Sequence, residues 1–164
     1  MSRAKALSVE NLFACAGLVP CGPVAWKVPI LERTSGVYAI SVGGISLDPD
    51  HIAEPVRHRW IEGQHIVYIG RAKILRKRLQ QFYRHTYGAN SPHRGGQSIL
   101  LLDVPLYVSW SAVDDYAGAE DRMIEHFRAV CGGIPFGNRV KSARMRSPSP
   151  TGEPTGGGQS SSQR

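Results

Sequence analysis

Four side chains in this 164-residue chain stand out for the chemistry they could share: Tyr38, Tyr68, Arg78 and Glu120. An arginine offers a planar, permanently charged fork that matches a phosphate group. A glutamate offers the hard oxygen ligand that Mg²⁺ or a similar divalent cation requires. Phosphodiester hydrolysis needs an activated water, charge stabilisation at the phosphate, and help for the leaving oxygen. The surroundings of Arg78 suit such a substrate. Between Glu62 and Asp103 there is no acidic residue, while Arg71, Lys73, Arg76, Lys77, Arg78, Arg84 and Arg94 are all basic. The whole chain carries a formal charge of +7, so a polyanionic partner fits. Each feature also has a purely structural use. A basic run can be a solvated helix face, and Glu120 can complement a helix dipole. The tyrosines can be core aromatics with satisfied hydroxyls.

The elements that must position these residues can be read from local pattern. Ser8 can cap a short helix over 8–16, which Gly17 and Pro20-Cys21-Gly22-Pro23 then stop. Gly36 to Val42 alternates like a strand and carries Tyr38. His65 to Gly70 is a second strand, carries Tyr68, and exits at Gly70. From Ile74 to His85 the period becomes helical, with Leu75, Leu79 and Phe82 on one face and Arg76, Lys77 and Arg84 elsewhere. Gly88 to Gly96 reads as a loop, and Gln97 to Leu102 as a short helix or strand. Leu106 to Ala112 is a third strand. Tyr116 to Val130 is the clearest helix: Asp114 or Asp115 caps it, Met123, Ile124 and Phe127 form its apolar face, and Gly132-Gly133 ends it. Glu120 lies on this helix. The expected architecture is α+β, a small three-stranded, mainly antiparallel sheet flanked by helices, with a helical N-terminal extension over 1–34.

Two strands ending in Gly-Val-Tyr (36–38) and Tyr-Ile-Gly (68–70), followed by a basic helix, resemble the GIY-YIG nuclease superfamily. The specific part is the run from Tyr68 to Leu79, in which Arg71, Ala72 and Lys73 lead to an Arg78-Leu79 pair. With Glu120, which Ile124 follows by four, and Asn138, the resemblance covers about 36–140. It implies a metal-dependent endonuclease acting on DNA, with Tyr38, Tyr68, Arg78 and Glu120 catalytic and Glu120 holding Mg²⁺ or Mn²⁺. A tyrosine of the pair, with Tyr38 leading and Tyr68 assisting, would activate the water. Arg71, Lys73, Arg76, Lys77, Arg84, His93 and Asn138 would contact phosphate or DNA. Asn138 also fits a plain helix-exit turn. Two departures stand out. Many relatives carry a histidine four residues after the catalytic arginine, where this chain has Phe82, and His85 follows one turn later. Tyr68 also lies thirty residues after Tyr38, so 43–65 forms an insert. That insert holds Arg57-His58-Arg59-Trp60, a basic and aromatic cluster suited to nucleic acid. A catalytically inactive nucleic-acid-binding module of the same fold is the alternative, and a domain in which the motif merely packs a core is a third.

Other classes fit less well. Cys15, Cys21 and Cys131 are an odd number and widely spaced, which suggests free thiols in a reducing compartment rather than a zinc site. No apolar run approaches the roughly 20 residues of a membrane span, and no secretory leader is evident, so a cytoplasmic location with no membrane partner is expected. The nuclease-like domain should span 35–141. Beyond it, 142–164 is rich in Ser, Pro, Gly and Thr, too poor in apolar residues to offset its ordering entropy, and is expected to be disordered.

Overall fold

A computed structural model of the chain describes residues 6–43, 52–90 and 94–139. Helix α1 (Val9–Ala14) begins where Ser8 predicts, with the Ser8 hydroxyl accepting from the Asn11 backbone N–H at 3.1 Å. Strand β1 (Cys21–Ala25) follows, in a segment that reads as a helix stop. Strand β2 (Gly36–Val42) is buried at every position, so both of its faces are covered. A single turn, α2 (Glu54–Arg57), lies within the insert. Strand β3 (Ile66–Ala72) runs two residues past Gly70 and leads into α3 (Leu75–Tyr83), whose Leu75, Leu79 and Phe82 are buried. A 3₁₀ helix (Arg94–Leu101) takes the place of the loop end and the ambiguous apolar element. Strand β4 (Leu106–Ala112) and helix α4 (Tyr116–Cys131) complete the order. Asp115 caps α4 by accepting from the Gly118 N–H at 3.0 Å, and Gly132 ends it in the left-handed conformation at φ 82°.

The fold is α+β, as expected, but its antiparallel sheet has four strands rather than three, in the order β1-β4-β2-β3. The fourth is β1, so the segment before 34 is not helical throughout. Its absence from the sequence pattern has a physical cause. An edge strand with one mostly exposed run, a proline and a register shift between Cys21 and Val24 shows no alternation of burial to read.

The sheet has helices on both faces. Val37, Ala39 and Ile69 pack on one side with Leu12, Phe13, Met123 and Phe127 of α1 and α4. Tyr38, Ile40 and Tyr68 pack on the other with Leu79 and Phe82 of α3 and Ile99 of the 3₁₀ helix. Full burial of each large apolar side chain contributes about 1.5–3 kcal/mol, and that anchors α3 and α4 against opposite faces of β3. The outer edge of β3 is closed by the chain after α4. Gly137 N–H donates to the Val67 carbonyl at 2.6 Å. The Asn138 amide accepts from the Ile69 N–H at 3.0 Å and donates to the Ile69 carbonyl at 2.9 Å. An edge that would otherwise pair with another chain is thereby covered.

Among the described residues no helix is long and apolar enough to cross a membrane. Cys15, Cys21 and Cys131 are free thiols. The expected disordered tail 142–164, His93 and the Asp48-Pro49-Asp50 segment lie outside the described residues.

Candidate functional site

Strand β3 aims Tyr68 into the space between the sheet and α3. The ring stacks edge-on against Phe82, with centroids 5.5 Å apart at 87°, and lies 5.9 Å from the Tyr38 ring. Two glycines make room for it. A Cβ at Gly70 would come within 2.5 Å of the Tyr38 ring and 2.7 Å of the Tyr68 ring, and one at Gly96 within 2.7 Å of Tyr68. No larger residue fits at either position without moving those rings.

The two hydroxyls and Arg78 form a chain of hydrogen bonds. Tyr38 bonds both Tyr68 and Arg78. The bond between the tyrosines raises the pKa of Tyr38 and lowers that of Tyr68. Arg78 has only donors, so it donates to Tyr38. Burial pushes the Tyr38 hydroxyl well above the ordinary tyrosine range; the neighbouring Tyr68 adds to the rise and Arg78 opposes it. Burial also raises Tyr68, against the pull of its bond with Tyr38 and the charge of Arg78, while Glu120 pushes it further up. Both phenols are therefore neutral at neutral pH.

Helix α3 brings Lys77 and Arg78 to the same place. Its first two backbone N–H groups are already used, Leu75 donating to the Thr34 carbonyl at 3.0 Å and Arg76 to the Glu32 carbonyl at 2.8 Å. Affinity for an anion here thus comes from side chains rather than from those two amides. Glu120, on the opposite face of β3, lies in the second turn of α4 and is only 8% exposed. It is held by an ion pair with Arg71, Nε to Oε2 at 3.4 Å, whose side chain is 40% exposed.

These residues meet in one cleft of about 660 Å³, which wraps around the end of β3. Tyr68, Arg71, Lys73, Lys77, Arg78 and Glu120 all line it, so six of the residues expected from the sequence come together. Glu120 is the only acidic side chain among the described residues lining the cleft, facing four cations.

Other expected residues are elsewhere. Tyr38 is fully buried behind Tyr68 and does not reach the cleft wall. Arg76, in α3, and Arg84, which caps its C-terminus, do not line the cleft. Asn138 was expected to contact nucleic acid, yet both functions of its amide are spent on Ile69, so it is an edge clamp. Phe82 is core, and His85 is buried with Nε2 3.2 Å from Gln97 Oε1, which removes it as a stand-in for the missing histidine. Glu125 faces away and pairs with Arg128 at 3.7 Å. The Arg57-to-Trp60 run is divided: Arg57 bonds the Ile52 carbonyl and Glu54, while Trp60 packs on Phe136 at 5.9 Å.

Gln81 and Tyr116 also line the cleft and were not singled out from the sequence. A signal existed for both. Gln81 lies three residues after Arg78 and Tyr116 four before Glu120, the spacings that share a helix face.

Among the described residues no group of three or more His, Cys, Asp or Glu could hold a metal ion. The lone, nearly buried Glu120 nonetheless suits Mg²⁺, which keeps most of its waters and binds through one or two carboxylates together with substrate phosphate. Comparison with protein-family models, curated proteins and solved structures finds no match.

Proposed function

We propose that the chain is a metal-dependent endonuclease that hydrolyses DNA phosphodiester bonds, related to the GIY-YIG superfamily. One observation carries this reading: a single carboxylate, Glu120, shares a cleft with Arg71, Lys73, Lys77, Arg78 and Tyr68, although these come from different elements on opposite faces of the sheet. A site for a phosphate alone would be weakened by an acid, and a solvated basic face would not bury one.

In this reading Arg78 holds the scissile phosphate, and Lys73 and Lys77 neutralise its neighbours. Tyr68 is the tyrosine that faces the attacking water. A neutral phenol accepts a hydrogen bond from that water and orients it. To take the proton outright Tyr68 must first ionise; of the charges near it, Arg78 favours this and Glu120 opposes it. Tyr38 acts through Tyr68, fixing the direction of its hydroxyl. Mg²⁺ held by Glu120 would supply Lewis-acid stabilisation at the phosphate and offset the carboxylate charge that disfavours ionised Tyr68. Arg71, already on Glu120, lies within reach of the same phosphate.

A second reading is a nucleic-acid-binding module without catalysis. The Arg71–Glu120 ion pair favours it, because that pair leaves the carboxylate compensated with no cation bound. One experiment separates the two. Incubated with supercoiled plasmid, the purified protein should give nicked and linear product with Mg²⁺ and none with chelator. Plasmid bound but intact under both conditions would establish the binding module instead.

A further inference from the structure

A second cleft, of about 590 Å³, is lined in part by the Asn138 clamp. Its walls include His58, Arg59, Asn138 and Arg139, and no acidic residue is among the described residues lining it. We propose that this cleft binds a flanking backbone phosphate of the same DNA strand whose scissile phosphate occupies the first cleft, a proposal that rests on the nuclease reading above.

Three observations lead there. The first is composition. The first cleft mixes four cations with the carboxylate that chemistry needs, whereas the second has cationic side chains and no acid. That composition suits holding a phosphate without reacting with it. The second is bracing. Arg59 Nη1 donates to Ser98 Oγ at 3.3 Å, which fixes one wall and uses one of the five guanidinium donors. The neighbouring Trp60 is wedged on Phe136, and Asn138 is tied to Ile69, so Arg139 follows an anchored residue. The third is position. Ile69, which Asn138 grips, is two residues before Arg71 on β3, about 7 Å along the strand. Asn138, which lines the second cleft, therefore meets β3 two residues from Arg71, which lines the first, and a nucleic-acid backbone following that edge would meet cations of both.

This also divides the labour within the Arg57-to-Trp60 run of the insert. Arg57 and Trp60 hold the fold, and His58 and Arg59 are left facing the second cleft.

The test is DNA binding by fluorescence anisotropy with chelator present, so that binding is read without cutting. Wild type is compared with the double variant Arg59→Gln/Arg139→Ala. Glutamine retains a donor for Ser98, and thermal melting of both proteins confirms that they fold alike. Each phosphate contact contributes about 0.9 to the slope of log affinity against log salt on duplex DNA. The variant slope should be shallower by about 1, and its affinity at low salt lower by at least tenfold. With Mg²⁺ and saturating protein its single-turnover cleavage should stay within about twofold of wild type.

Identical affinity and slope for the long DNA would overturn the second cleft and leave the nuclease reading standing. A fall in single-turnover cleavage at saturating protein would overturn it as well, because the substitutions would then be acting on the first cleft. A wild type that binds no DNA at all would remove both proposals.

Discussion

Replacing Glu120 by Gln separates chemistry from structure because the side chain keeps its shape and loses only its charge. The structural cost should be small. The ion pair lost is with Arg71, whose side chain is 40% exposed and screened by solvent, and pairs of that kind are worth about 0–1 kcal/mol. Removing a charge that is 8% exposed also relieves its desolvation, which works in the opposite direction. The helix dipole adds little, since Glu120 lies beyond the first turn of α4 and the effect fades there. The melting temperature should therefore move by only a few degrees, about 2–8 °C at most. Binding should tighten: the cleft goes from four cations and one anion to four cations. Cleavage should nearly vanish. A Lewis acid at the phosphate is worth several kcal/mol, and each 1.36 kcal/mol is a factor of ten, so the rate should fall by at least about 10²–10³. Single-turnover nicking of supercoiled plasmid with Mg²⁺, beside circular-dichroism melting and a binding titration, reads all three quantities. Glu125→Gln is the control, because Glu125 is exposed and pairs with Arg128 away from the cleft. Normal cutting by Glu120→Gln, or loss of cutting in the control alone, would refute the assignment of the carboxylate.

Tyr68→Phe should slow cleavage by roughly 10²–10⁴, and it should also lower stability by about 1–3 kcal/mol because the buried Tyr38 hydroxyl loses its bond to Tyr68. Tyr38→Phe should cost about 1–3 kcal/mol in urea denaturation, since it leaves buried partners unbonded, while slowing cleavage less; the opposite ranking of rates would return the leading role to Tyr38. Asn138→Ala should lower stability by about 1–3 kcal/mol through loss of both bonds to Ile69. A variant as stable as wild type would refute the clamp. Tyr83, whose hydroxyl donates to the Val28 carbonyl at 3.0 Å, is pushed by burial up to about 12. Its proton is held more tightly folded than unfolded, so its contribution is full below about pH 10 and is lost as pH rises toward 12. Denaturation at pH 9 and 11 should show a smaller loss in Tyr83→Phe than in wild type, and equal losses would exclude this linkage.

Much of this protein was legible in local pattern. The alternation in Leu106–Ala112 and the 3.6-residue period in Tyr116–Cys131 identify a strand and a helix without knowledge of their neighbours. Likewise the basic run after Tyr68, and Glu120 on its own helix, can be named from residue type and spacing alone. What the sequence could not decide was which elements lie next to each other, because a side-chain period states that one face is covered and not by what. Strand β1 is invisible for that reason: it exists by pairing with β4, eighty-odd residues away, and not by any period of its own. Asn138 reads equally well as a contact residue or a turn until Ile69 is seen to take both ends of its amide. The two tyrosines show the limit most sharply. Strand β2 is buried on both sides, so its sequence carries no signal of whether Tyr38 faces a cleft or a core. Only its central place in the sheet, against the edge position of β3, puts Tyr38 behind and Tyr68 at the opening.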